Sequence, residues 1–334
     1  MKNETAIKNK NGDSLYKLLN FLKMNKNIII QYSSLLLVVV IFTVLSDGKL
    51  LSSINIQTII RQLVVIFTIS VGLVFVFSHG NMDISVGAVV ALSSMVAAFS
   101  LNAGAPVWFS TMIAMSVSVA CYLLNIYVAN QFGLMAVISS LAIMFIARGI
   151  VTYIVSTTNM SIRVTEIAVL NLYNNLTFMI LSIIIVGIIG VVLFNYKKIG
   201  KQNKAIGDNM LSATQSGVNV KKSKVISYII AGLLVGYGSM FSLARSLTVS
   251  ENSGMGLEMD VIVALVLGGM ALSGGSKSKI SSAIVGSITL VLLNNGLTMI
   301  GVPAEVVSLV RGIIFLLVIF LILRRPRSEK VVPR

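Results

Sequence analysis

Asp83 with Ser85, and the adjacent amides Asn294 and Asn295, are the side chains whose types and spacing suit chemistry in an apolar setting. A carboxylate beside a hydroxyl either lines a polar path or braces helices through hydrogen bonds. Two neighbouring amides donate and accept across a helix bundle, so they suit a hydroxyl-rich solute or, equally, an interhelical clamp. Covalent and metal chemistry are poorly supplied. One histidine, His79, and one cysteine, Cys121, cannot build a His/Cys metal cluster or a Cys-His nucleophile pair with a spare partner. Gly274-Gly275-Ser276-Lys277-Ser278 has the letters of a phosphate loop without its spacing. The expectation is a non-enzyme with no catalytic residue, no metal and no ATP hydrolysis of its own. Arg148, Arg311, Glu258 and Asp260 complete the ionisable set at membrane depth. Charge in hydrocarbon costs at least about 2.5 kcal/mol, so each must lie near a surface or face a polar interior.

The elements that must position these residues are apolar throughout. Of 334 residues, 56% are hydrophobic and 11% charged, which excludes an ordinary soluble globule, where roughly a quarter are charged. Ten apolar runs follow one another, approximately 28–45, 62–77, 84–101, 107–128, 134–154, 176–194, 225–243, 257–272, 280–300 and 306–323. They are continuous rather than alternating, so the expected fold is an all-α polytopic membrane protein of about ten transmembrane helices, not a β-barrel. The first run is too long for a cleaved leader and reads as a retained span. Cys121 lies within a run and reads as packing, and His79, at a span end, as a polar interfacial residue or, alternatively, one in a cavity.

The net charge of +15 would suit nucleic acid if it covered one surface, but it is divided among loops. Lys2, Lys8, Lys10, Lys17, Lys23 and Lys26 precede the first run, and seven lysines from Lys197 to Lys224 follow the sixth. Lys277 and Lys279 follow the eighth, and Arg324, Arg325, Arg327, Lys330 and Arg334 the tenth. With ten spans all these segments fall on one side, and positive loops stay inside. Both termini are therefore expected in the cytoplasm, and the charge reports topology rather than a nucleic-acid partner. The layout that follows is a cytoplasmic segment over 1–27, a transmembrane domain over 28–323 with a long cytoplasmic loop at about 195–224, and a cytoplasmic tail over 324–334.

The chain also echoes itself. Gly80-Asn81-Met82-Asp83-Ile84-Ser85-Val86-Gly87 and Gly268-Gly269-Met270-Ala271-Leu272-Ser273-Gly274-Gly275 share Gly, Met, Ser and Gly in register. Arg148-Gly149-Ile150 recurs as Arg311-Gly312-Ile313. Five spans in each half then suggest a 5+5 repeat, an arrangement transporters use around a central path. The two octets are candidate cavity linings or, for the second especially, plain turns. Gly232 and Gly236 have the spacing of a close helix contact.

With these motifs in order, the chain resembles the permease subunits of bacterial ABC importers of the ribose, xylose, arabinose, galactose and autoinducer group. The family's G-G-I-D-L-S-V-G resembles the Gly80 to Gly87 octet. Its A-I-G-G-N with A-A and S-G-I-N-V-K is similar to Ala205-Ile206-Gly207-Asp208-Asn209, Ser212-Ala213 and Ser216 to Lys221. Gly133 to Ile138, Ile146 to Gly149, Gly256 to Asp260 and Leu293 to Leu297 complete the pattern, which covers about 56–323. Asn81 departs from the family's second glycine, and Met210-Leu211 stands where acidic residues are common.

The resemblance implies a subunit in the bacterial cell membrane that forms the path for a sugar or sugar-like solute. Its implied partners are a second permease subunit (an identical or a sister chain), a cytoplasmic ATP-binding subunit that holds the ATP, an extracytoplasmic solute-binding protein and the lipid bilayer. This chain would carry no cofactor itself. Asp83, Ser85, Asn294 and Asn295 become candidates for the path or its gate. Gly207, Asn209, Ala213, Ser216 and Gly217 become candidates for the loop that couples to the ATPase. The alternative is an ion-coupled carrier or facilitator for a small polar solute, for which the few intramembrane acids are a poor supply.

Overall fold

The computed structural model describes residues 26–158 and 161–323. The basic residues expected to fix the two termini, from Lys2 to Lys23 and from Arg324 to Arg334, and the loop residue Asn159, lie outside the described residues. The described chain is almost entirely helical, and each apolar run carries a helix. These are α1 (Lys26–Leu45), α2 (Ser53–Phe77), α3 (Val86–Asn102), α4 (Val107–Phe132), α5 (Ala136–Thr158) and α6 (Leu176–Val191). After two short helices in the long loop, α7 (Lys198–Asp208) and α8 (Met210–Gln215), come α9 (Val220–Ser246), α10 (Leu257–Leu267), α11 (Ile280–Met299) and α12 (Ala304–Leu323).

Six helices among the described residues are long and apolar enough to cross a membrane: α2, α4, α5, α6 with its π-helical extension to Tyr196, α9 and α11. α3 and α10 are shorter. α2 and α11 are the most enclosed of the six, whereas α5 and α6 turn Phe145, Ile146, Ile184 and Ile188 outward. Apolar side chains on an outer face are what a lipid environment favours, since lipid leaves no solvation cost for them.

α9 is the axle of the bundle, packed along α4, α2 and α3. Its glycines explain how. A Cβ at Gly232 would fall 2.7 Å from the Val119 Cα and one at Gly236 2.5 Å from the Met115 Cα, so the backbones of α9 and α4 touch directly. On α2, Gly72 opens the same kind of approach to Ala231 and Leu234. Small residues at such crossings let dispersion contacts of the main chain hold helices together where lipid supplies no hydrophobic drive.

α2 begins at Ser53, nine residues before its apolar run, because the Ser52 side chain accepts from the Asn55 N–H and caps it. Within that first stretch Arg61 reaches the Asn174 side chain at 3.4 Å. α10 stops at Leu267, five residues short of its run. A Cβ at Gly268 would meet the Ser282 oxygen at 1.9 Å, so the chain there lies flat against α11. At one end of the bundle a two-residue antiparallel pair, β1 (Ile162–Arg163) with β2 (Thr248–Val249), ties the chain after α5 to the end of α9. Asn102, the last residue of α3, clamps that pair: its Nδ2 donates to the Arg163 carbonyl (2.9 Å) and its Oδ1 accepts from the Thr165 N–H (3.0 Å).

Candidate functional site

Asp83 and Ser85 lie in the extended turn between α2 and α3 and are fully enclosed, 0% and 1% exposed. Asp83 Oδ1 accepts from the Ser85 N–H (2.8 Å) and hydroxyl (2.7 Å), and Oδ2 accepts from Asn125 Nδ2 of α4 (2.8 Å). Asn125 Oδ1 in turn accepts the Ser139 hydroxyl of α5, and the Ser140 hydroxyl accepts the Ile84 N–H at 3.2 Å. A carboxylate at the start of α3 also meets the positive end of that helix. The arrangement is a brace that joins the α2–α3 turn to α4 and α5, with no surface offered to a solute in this state.

The amides part company. Asn295 exchanges both hydrogen bonds with Asn55 of α2 and is nearly buried, whereas Asn294 is half-buried and its Oδ1 has no hydrogen-bond partner. The two arginines of the repeated Arg-Gly-Ile triplet share a task. Arg148 Nη1 donates to the Glu251 (3.0 Å) and Ser253 (2.7 Å) carbonyls just before α10, and Arg311 forms an ion pair with Asp260 in its first turn, so the two hold the entry and the start of that helix. Beside it, α3 and α10 start against each other: a Cβ at Gly87 would fall 2.2 Å from the Gly254 oxygen.

The two octets that echo one another also touch. The Gly275 N–H donates to the Ser78 carbonyl (2.9 Å), and a Cβ at Gly274 would lie 2.4 Å from the Gly80 nitrogen. Positive φ at Gly80, Gly274 and Gly275, between +70° and +85°, permits these turns.

The long loop packs onto that junction. Gly207, in the last turn of α7, has the Ser78 oxygen and the Gly275 nitrogen where its Cβ would be, at 2.1 and 2.4 Å. Asn209 caps α8 by accepting from the Ser212 N–H (3.0 Å), and the Ser216 hydroxyl donates to the Ser212 carbonyl (2.9 Å). Gly217 turns the chain at φ +81° with open space around it. Ala213, another of the coupling-loop candidates, points inward and is 3% exposed. The outward apolar pair of α8 is Met210 and Leu211, 52% and 69% exposed.

Sequence reasoning missed the centre of this end. Asn203 of α7 is fully buried and joins three elements: its Nδ2 donates to the Phe75 carbonyl (3.2 Å) and the Ser227 hydroxyl (2.9 Å), and its Oδ1 accepts from the Ser223 hydroxyl (3.0 Å). His79 Nε2 lies 2.9 Å from the same Oδ1, so His79 is enclosed rather than interfacial. Burial pushes its pKa down to about 4, Lys224 adds to the effect, and the Asn203 bond opposes it. The only local signal was an asparagine in a lysine-rich helix, which reads as solvated. Among the described residues no three metal-ligating side chains gather.

Comparison with known proteins follows the same lines. Residues 55–319 match the model of the family described as branched-chain amino acid transport system / permease component. The chain is 31% identical to the D-allose transport system permease protein AlsC of Escherichia coli K12, over 83% of this chain and 86% of that one. It is 28% identical to the ribose import permease protein RbsC of the same strain (79% and 84%) and to that of Bacillus subtilis 168 (86% and 90%). No solved structure matches it.

Proposed function

The chain belongs to the family of branched-chain amino acid transport system permease components, and from that premise we propose that its solute is a sugar or sugar-like molecule. It is an ABC importer permease, a transport subunit of several membrane-spanning helices in the cell membrane. The sugar assignment rests on the names of the ribose and allose relatives. The ion-coupled alternative has no counterpart among those relatives.

In this reading two permease chains, identical or sister, share the path over a cytoplasmic ATP-binding subunit that holds the ATP, and an extracytoplasmic binding protein delivers the solute. Ten spans with both termini inside give the layout 1–27, 28–323 and 324–334, and the 195–224 loop couples to the ATPase. The observation that carries the coupling assignment is that α7 packs against the ends of both octets while α8 holds Met210 and Leu211 outward. Of the path candidates, Asn294 is the one whose acceptor is unpaired, though that oxygen is shielded in this state and would have to be uncovered to meet a hydroxyl-bearing solute. Asp83, Ser85 and Asn295 instead set the shape of the gate.

The test is extraction of tagged protein with its native neighbours in mild detergent. Co-purification of an ATPase, together with loss of labelled ribose or allose uptake in cells deleted for this chain, is expected. Purification without any ATPase and unaltered uptake of both sugars would overturn the reading.

A further inference from the structure

The last turn of α7 touches the two halves of the molecule at one point. Gly207 lies against Ser78, just after α2, and against Gly275, in the turn between α10 and α11. The next residue, Asp208, reaches only the second of these. Its Oδ1 accepts from the Ser276 N–H at 2.8 Å and from the Ser276 hydroxyl at 3.1 Å. Ser78 and Gly275 are themselves joined by a backbone hydrogen bond of 2.9 Å. A linker that merely spans α6 and α9 would need none of these contacts, and it would not bury Asn203 completely.

We propose that Gly207 and Asp208 are positioning residues for transport, a latch that holds α7 on both glycine octets so that a displacement of α7 moves the two as one body. Gly207 provides the fit, since any side chain there would separate α7 from the two backbones. Asp208 provides the direction. A carboxylate that accepts two bonds from one residue fixes the α10–α11 turn to the helix more firmly than a single neutral bond does. Both octets therefore answer to one lever, and the path is worked from its two halves together. The latch rests on the coupling reading of the 195–224 loop.

Asp208 and Ser276 are both exposed, so their variants keep the membrane bundle. The complete importer, with its ATPase and binding protein, is reconstituted in vesicles, and uptake and ATP hydrolysis are measured on the same preparation. Asp208→Ala is expected to lower solute moved per ATP by about tenfold while hydrolysis continues, as loss of a charge-assisted contact of this kind implies, and Gly207→Ala, whose Cβ would meet the Ser78 and Gly275 backbones, is expected to lower it too. Asp208→Asn keeps an oxygen for both Ser276 donors without the charge and is expected to restore part of the ratio. Leu211→Asp, on the outward face of α8, tests the coupling loop itself. Wild-type uptake per ATP in Asp208→Ala, or an Asn variant as impaired as the Ala variant, overturns the latch. Full uptake in Leu211→Asp overturns the coupling reading, whatever the latch variants do.

Discussion

Asn55 and Asn295, 240 positions apart in the chain, exchange a reciprocal pair of amide hydrogen bonds of 2.8 and 3.0 Å between the start of α2 and the last turns of α11. Asn55 Nδ2 also donates to the Leu50 carbonyl at 2.8 Å, so the pair anchors the turn after α1 as well. Each amide satisfies the other's donor and acceptor in a site where water is scarce, and neither can be lost alone without stranding its partner.

That reciprocity sets a double-mutant expectation. Asn295→Leu or Asn55→Leu alone should lower stability in detergent by about 1 kcal/mol, near the upper range for interhelical hydrogen bonds in membrane proteins. The double variant should cost less than the sum. Additive melting shifts would show that the two amides do not interact.

Asp83→Ala removes the acceptor for two Ser85 donors and for Asn125. Stranding buried donors costs about 1 to 3 kcal/mol each. The variant should lower the melting temperature and the yield of folded protein, and uptake should fall in proportion to the protein recovered. Normal yield and stability with uptake abolished would instead make Asp83 a group that meets the solute.

His79 makes stability depend on pH. Its folded pKa of about 4 lies below the ordinary value of 6.5, so between these limits the unfolded chain takes up a proton that the folded chain refuses. Stability from this group is complete above about pH 6.5 and declines as pH falls toward 4, by about 2 kcal/mol at pH 5. His79→Gln, which can still donate to Asn203, should flatten that part of a melting curve taken between pH 7.5 and 5. An identical slope in wild type and variant would remove His79 from the account.

The positive loops predict sidedness. In a Cys121→Ala background, a cysteine at Lys201 should react with an impermeant maleimide only from the cytoplasmic face, and one at Ala103, between α3 and α4, only from outside. Reaction of both from the same face would refute the arrangement.

Much of this was legible because its cause is local. Continuous apolar runs become helices, and Asp83 binds Ser85 two residues away, so the motif could be read as a unit. The start of α2 was hidden by Arg61, a charge inside a helix that its partner Asn174, 113 positions on, makes tolerable. His79 with Asn203 and Asn55 with Asn295 were illegible for the same reason: the partners are more than 100 residues apart, and no periodicity links them. Which way Ala213 faces was not legible, because small and apolar says that a residue packs, not on which side of a short helix.

The glycine seam between α4 and α9 has a consequence for biogenesis. α4 ends at Phe132 and α9 begins at Val220, so at ribosomal speeds of about 5 to 20 residues per second α4 waits roughly 5 to 20 s in the membrane before the helix it must touch backbone to backbone is made. During that interval the Met115 and Val119 strip lacks its partner, and the first six helices lack their axle. A nascent chain halted after Tyr196 is thus an orphan for quality control to clear, even though it already contains the first six apolar helices.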